Sequence, residues 1–170
     1  MLIRPAERSD LKAVQAIYAI EVLKETASFE TTPPDLGEIE RRYLDVQAAG
    51  LPYVVADVDG EIGGYAYAHL YRTRPAYGLT VETSIYVART HQRQGLGTAL
   101  LDALVTGCLA AGKREMVAVI GDSANQGSIR VHEKAGFRLV GTLRDVGFKF
   151  GRFLDTVIMQ RSLGGDRATG

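Results

Sequence analysis

The 170-residue chain has a single cysteine, Cys108, so no intrachain disulfide can form, which suits a reducing compartment. It has no net charge, since 20 Lys and Arg balance 20 Asp and Glu. No overall field therefore draws it to nucleic acid or to an anionic membrane, and any steering of a charged ligand must be local. No apolar run approaches the roughly 20 residues that span a bilayer. The stretch Met1–Arg8 lacks the apolar core of a signal peptide. A cytoplasmic protein with neither a nucleic-acid nor a membrane partner is expected. The remainder is ordinary globular composition, 46% apolar and 24% charged, in a length that suits one domain.

Leu2–Arg4 reads as an opening strand. Ser9 stands where an N-cap would, ahead of Leu11, Val14, Ile17 and Tyr18 at helical spacing. Residues Thr26–Pro34 are irregular. Asp35 with Glu38 then resembles a capping box for a second helix ending near Ala49. Tyr53–Ala56 and Ile62–Tyr71 read as strands joined at Asp59-Gly60, the strongest hairpin turn in the chain. On the second of them Tyr65, Tyr67, His69 and Tyr71 share a face. After the loop Arg72–Gly78, Leu79–Val87 is another strand. The helix that follows Gly97 buries Leu100, Leu101, Leu104, Val105, Cys108 and Leu109. The unbroken apolar run Met116–Ile120 marks a strand covered on both faces. A short helix over Ser128–Ala135 stops at Gly136, and Phe137–Val140 and Phe153–Met159 are the last strands. The polar, glycine-rich Gly164–Gly170 is expected to be a disordered tail. Helices interspersed with strands give an α/β (α+β) domain.

The segment Gln92-Arg93-Gln94-Gly95-Leu96-Gly97-Thr98 lies between a strand and a helix. Glycines there let a ligand approach the backbone closely, and the first N–H groups of the helix, with its dipole, favour an anion. The same pattern is also that of an ordinary glycine-containing strand-to-helix turn. Two other phosphate motifs are excluded. Leu100 stands where a dinucleotide fingerprint has its third glycine. Gly107–Lys113 mimics a P-loop, but Arg114 replaces the Ser/Thr and the stretch ends a helix instead of opening one.

Alternation along Leu79–Val87 puts Glu82, Ser84 and Tyr86 on one face. A partly buried Glu82 would have a raised pKa, useful to a general base; on a solvated face it would be an ordinary surface acid. Asn125, Ser128 and His132, three and four residues apart, line one side of a short helix. They suit a ligand lying along it, or equally an N-cap and a surface histidine.

Taken together these motifs resemble the GNAT superfamily of N-acetyltransferases, in which Gln92-x-x-Gly95-x-Gly97 matches the pyrophosphate-binding signature. Within it, Glu82–Val87, His91–Gly97, Val117–Gly121, Val131–Glu133 and Gly147–Lys149 resemble the phosphinothricin and methionine sulfoximine acetyltransferases. So do Ser28-Phe29 and Phe150–Arg152, and the likeness runs from Ile3 to Leu163, the extent expected of the domain. It implies a twisted mixed sheet opened into a V between the fourth and fifth strands, acetyl-CoA as co-substrate, no metal, and a homodimer.

By the same resemblance, Ile85, Tyr86 and Val87 meet the pantetheine arm. Arg93, Gln94, Gly95, Leu96, Gly97 and Thr98 hold the pyrophosphate, and Asn125 and Ser128 contact the cofactor. Glu82 is the general base, and His132, where many relatives have tyrosine, is a proton donor or relay. Phe29, Thr83 and Ser84 join Glu82 at the substrate. Arg72 and Arg74 suit the carboxylate of an amino acid, since guanidinium forks match carboxylates. Lys149 and Arg152 approach the site, from this chain or from a partner subunit. The chain departs from the pattern at Tyr71, where relatives carry tryptophan.

The implied reaction is direct acetyl transfer to the α-amino group of a small amino-acid-like substrate. Cys108, on the apolar stripe of its helix, is expected to be core and not a nucleophile. A peptide N-terminus, a polyamine or an aminoglycoside as acceptor, or a non-catalytic acyl-CoA sensor, are the competing readings.

Overall fold

Alternating segments become strands and segments of period 3.6 become helices in the computed structural model, which describes residues 1–164. The strands are β1 (Leu2–Pro5), β2 (Tyr53–Val58), β3 (Glu61–Leu70), β4 (Thr80–Val87), β5 (Glu115–Gly121), β6 (Arg138–Lys149) and β7 (Arg152–Ser162). The helices are α1 (Leu11–Lys24), α2 (Leu36–Ala48), α3 (Leu96–Ala110) and α4 (Gln126–Lys134). The strands form one sheet in the order β1-β2-β3-β4-β5-β7-β6. Among the described residues only β4 and β5 pair in parallel, because α3 carries the chain back between them.

That parallel pair is short. It runs from Thr80↔Glu115 to Thr83↔Ala118, and there the strands part. Beyond it β4 stays paired with β3 as far as Val87, and β5 with β7 as far as Gly121. Ser84–Val87 and Val119–Gly121 therefore face each other across a wedge-shaped opening, the V expected from the resemblance.

Each face of the sheet has its own cover. Leu100, Leu101 and Leu104 of α3 are fully buried, with Val81 of β4 and Met116 of β5 in the same core. On the other face a layer of tyrosines lies under α1 and α2. Tyr53 stacks on Tyr67 at 5.0 Å, and Tyr86 meets Tyr18 of α1 edge-on at 5.1 Å. Edge-to-face and offset ring pairs add to simple area burial.

Asp35 caps α2 as expected, accepting the Glu38 N–H at 2.8 Å. Asp59 and Gly60 turn the β2–β3 hairpin with positive φ at both positions, 55° and 89°. Ser9 does not cap α1. It lies inside a 3₁₀ turn, Arg8–Asp10, and Asp10 accepts from the Glu7 N–H at 2.8 Å while receiving both arms of Arg4. Asp10 stands at the N-cap of α1 but makes no side-chain bond to the helix, because its carboxylate is taken up by Arg4 of β1 and the Glu7 N–H.

Leu109 is 50% exposed, because the helix turns it past the edge of the α3 stripe. Tyr71 lies just beyond β3 and packs against Tyr77. The last hairpin is much longer than its alternation suggests. Register shifts at Leu139/Gly141 and Leu143/Gly147, with Asp145 left-handed at φ 56°, break the period-2 pattern in β6. The predicted tail, apart from Gly164, lies outside the described residues. Among the described residues no helix is long and apolar enough to cross a membrane.

Candidate active site

The chain enters α3 through a left-handed glycine. Gly95 has φ 84°, open space where a Cβ would stand, and no side-chain cap for the helix it precedes. The first intrahelical bond is Ala99 N–H to Gly95 O, so helix geometry leaves the N–H groups of Leu96, Gly97 and Thr98 pointing out of the helix end. They border a cleft of about 1020 Å³ that continues along Ile85, Tyr86 and Val87 of β4. Arg93, Gly95, Leu96, Gly97 and Thr98 line it on one side, and Asn125 and Ser128 on the other. Arg93 also has positive φ, 61°. Gln94 is turned away, with Nε2 donating to the Thr90 carbonyl at 3.2 Å, so its side chain does not line the cleft. Backbone N–H groups, a helix N-terminus and adjacent cations suit a pyrophosphate.

The cleft narrows into the opening between β4 and β5, where a cavity of about 40 Å³ is lined by Thr83, Ser84, Gly121 and His132. Two buried polar atoms there have no partner, Thr83 Oγ1 and His132 Nε2. Buried polar atoms are normally satisfied, so a pair of orphans lining one cavity suits a polar ligand in it.

His132 is 2% exposed and no surface residue. Its Nδ1 donates to the Ser128 carbonyl at 2.8 Å; a carbonyl can only accept, so the tautomer follows. Burial lowers its pKa and holds the ring neutral, against the opposing effect of that bond. The neutral ring therefore offers Nε2 as an acceptor. Asn125 is indeed the N-cap of α4, accepting the Ser128 N–H at 3.2 Å, and lines the cleft as well.

Glu82 lies one residue before the opening, its side chain 20% exposed. The tyrosine layer covers its face of the sheet, so the solvated alternative does not hold. Burial raises the carboxyl pKa, while His69 and then Arg72 pull it back. His69 is its direct cross-strand partner, with Nε2 3.8 Å from Oε1. The sequence marked His69 only as one of a row of rings; its pairing with Glu82 depends on the β3–β4 register.

Arg72 stacks on the Tyr71 ring at 4.1 Å and donates to the Tyr71 carbonyl. Arg74 is exposed at the start of a 3₁₀ turn, away from both cavities. Phe29 packs on Gly121 at the edge of the opening. Arg152 donates to Asp122 of its own chain at 2.6 Å, and Lys149 likewise turns to its own chain. Cys108 is fully buried and its thiol is pushed up to about 12, so it is no acyl acceptor.

Sequence reasoning missed further cleft residues. Glu21 and Glu25 come from α1 and its end, Arg89 follows β4, and Arg130 and Lys134 stand one turn apart on α4. Arg89 and Glu25 form an ion pair. Scattered surface charges carry no motif, and only the packing of α1 and α4 about the opening collects them.

A sheet split between parallel β4 and β5, with an anion cradle at the start of α3, defines an acyl-CoA-dependent acetyltransferase fold. The chain matches the model of the acetyltransferase (GNAT) family over residues 14–137 and belongs to that family. It is 48% identical over 161 residues to the phosphinothricin N-acetyltransferase of Alcaligenes faecalis, covering 95% of this chain and 82% of that one. It is 37% identical over 163 residues to the L-methionine sulfoximine/L-methionine sulfone acetyltransferase of Salmonella typhimurium, covering 96% and 95% of the two chains. A crystal structure of a GNAT superfamily phosphinothricin acetyltransferase from Sinorhizobium meliloti, in complex with acetyl-CoA, superposes with a TM-score of 0.95. Its identity is 44%, over 99% of this chain and 91% of that one.

Proposed function

We propose that this protein transfers the acetyl group of acetyl-CoA directly to the α-amino group of a small amino-acid-like acceptor such as phosphinothricin, methionine sulfoximine or methionine sulfone. The observation that carries the reading is the half-buried Glu82 carboxylate at the edge of the β4–β5 opening, with an anion cradle at the other end of the same cleft. The names of the similar enzymes support the acceptor class. The domain responsible spans residues 3–163.

Acetyl-CoA fits the residues present: the Arg93–Thr98 cradle and the start of α3 hold its pyrophosphate, and Ile85–Val87 with Asn125 and Ser128 flank its arm. It supplies an activated acyl group. An amine at neutral pH is mostly protonated and does not attack until it loses a proton, which Glu82 accepts directly or through a water. The N–H groups of the open β4 edge stabilise negative charge on the attacked carbonyl oxygen. As the nitrogen–acetyl bond forms and the carbon–sulfur bond breaks, His132, an acceptor through Nε2 at rest, would take the second proton that the nitrogen loses and relay it to the departing thiolate, giving the free thiol. Phe29, Thr83 and Ser84 shape the acceptor side, and Arg72, whose charge also reaches Glu82, draws in the acceptor's carboxylate, while Arg74 stands too far from the cleft to share that role.

Exposed apolar side chains on β6, β7 and their turn support a homodimer. Leu139, Phe148 and Phe153 are 63%, 63% and 64% exposed, and the last two meet edge-on at 5.1 Å. Contiguous apolar patches mark interaction surfaces. A cytoplasmic setting suits the lone, unpaired thiol.

The test is free-thiol release from acetyl-CoA with methionine sulfone, phosphinothricin, spermidine and a short peptide. Turnover confined to the first two is expected; turnover only with spermidine or peptide overturns the acceptor assignment. The pH profile checks the base. A protonated His69 lowers the Glu82 pKa, so His69→Gln moves the acidic limb of kcat/KM to higher pH, as Glu82 then holds its proton longer. An unmoved limb removes His69 from the site's electrostatics.

A further inference from the structure

Lysine is seldom buried, because taking an ammonium out of water costs free energy unless its protons find acceptors. Lys149, the last residue of β6, is 5% exposed. Its Nζ donates to the carbonyls of Glu25 at 2.8 Å and Ser28 at 2.6 Å, both more than 120 positions earlier in the chain. Glu25 ends α1, and Ser28 lies in the irregular stretch between α1 and α2. These carbonyls have no ladder to join, and the ammonium satisfies both.

Two residues before Lys149, on the same face of β6, stands Gly147. A Cβ there would overlap the Phe29 ring, and a Cβ on Gly121 at the end of β5 would come within 2.9 Å of it. One strand face thus supplies both a seat for the ring and a clamp for the backbone that carries it. The loop so held borders the reaction site, since Ala27 lines both the cleft and the small cavity between β4 and β5.

The two ends of the loop are anchored differently. At the cofactor end Glu25 pairs with Arg89, and Thr26 donates to Asp122 at 3.0 Å. Toward Phe29, Lys149 acts together with the Tyr18–Ser28 hydroxyl contact at 2.9 Å and, one residue past the ring, the Glu30–Arg42 ion pair at 2.7 Å. Removal of the ammonium would free the Glu25 and Ser28 carbonyls together and loosen the loop between them.

We propose that Lys149 is a positioning residue for the amine: with Gly147, it holds the Glu25–Phe29 loop against the β4–β5 opening and thereby sets acceptor affinity. The inference rests on the acetyltransferase reading above.

The experiment uses the full chain as wild type, Lys149→Met and Gly147→Ala. The second variant unseats the ring while leaving the ammonium in place, and serves if the first folds poorly. Hydrogen exchange over residues 25–30 reads the clamp without reference to activity. Thiol release with methionine sulfone reads its consequence. Exchange in the loop is expected to rise about tenfold in Lys149→Met, since local opening follows lost contacts. The KM for the amine should rise about tenfold while kcat and the KM for acetyl-CoA stay within about twofold, the pattern of lost ground-state binding.

Unchanged loop protection in both variants overturns the proposal. So does equal movement of both KM values, which would mark a merely structural lysine. A wild type that acetylates none of the amines sinks the activity reading and the acceptor half of this one, while loop exchange still decides whether Lys149 is a clamp.

Discussion

Glu82→Gln lowers kcat/KM for the preferred amine by roughly 10²–10⁴-fold, the usual worth of a positioned general base. Glutamine keeps the size and hydrogen-bonding reach of the side chain but cannot accept the proton. Acetyl-CoA affinity, which we assign to the Arg93–Thr98 end of the cleft, stays unchanged by calorimetry. The remaining activity should rise with pH, because more of the amine is then already free of its proton. Burial raises the Glu82 pKa, so the wild-type profile gains activity as pH rises through that value, and the variant loses this limb. A variant that retains wild-type rates at neutral pH would return the role of base to another group.

Leu101→Ala costs about 2–5 kcal/mol, the range for truncating a fully buried leucine in a core that relaxes only in part. At this size each kcal/mol corresponds to about 2–4 °C in Tm, so thermal unfolding reads the loss directly. The position matters because α3 binds the two halves of the molecule. Its buried stripe lies against the sheet, and its first turn is the proposed anion cradle. A folded variant therefore keeps its acetyl-CoA affinity below its Tm and loses it on melting. A change under about 0.5 kcal/mol, typical of surface sites, would contradict the packing described for α3.

Much of the site was legible in local pattern. A glycine before a helix that must turn left-handed, with free N–H groups beyond it, is chemistry written over seven consecutive residues, and Gly95–Thr98 stand where that pattern implies. Asn125, Ser128 and His132 share a helical face for the same local reason. The states of these groups were not legible. Whether Glu82 faced water depended on tyrosines from β2 and β3 and on the helices over them. That His132 presents a lone pair and not a proton at rest follows from one backbone bond and from burial. The length of β6 was hidden because bulges interrupt its alternation.

The sequence by itself determined the mixture of helices and strands, the glycine-led entry to the helix after β4, the face of β4 that carries Glu82 and the place of Cys108 on an apolar stripe, because each is carried by the period or spacing of neighbouring residues. Only the tertiary structure decided that His69 faces Glu82, that Arg74 stands apart from the cleft, and that Lys149 reaches back to Glu25 and Ser28. Those relations join residues distant in the chain. They are set by strand register and by the packing of helices on the sheet, for which no short segment carries a signal.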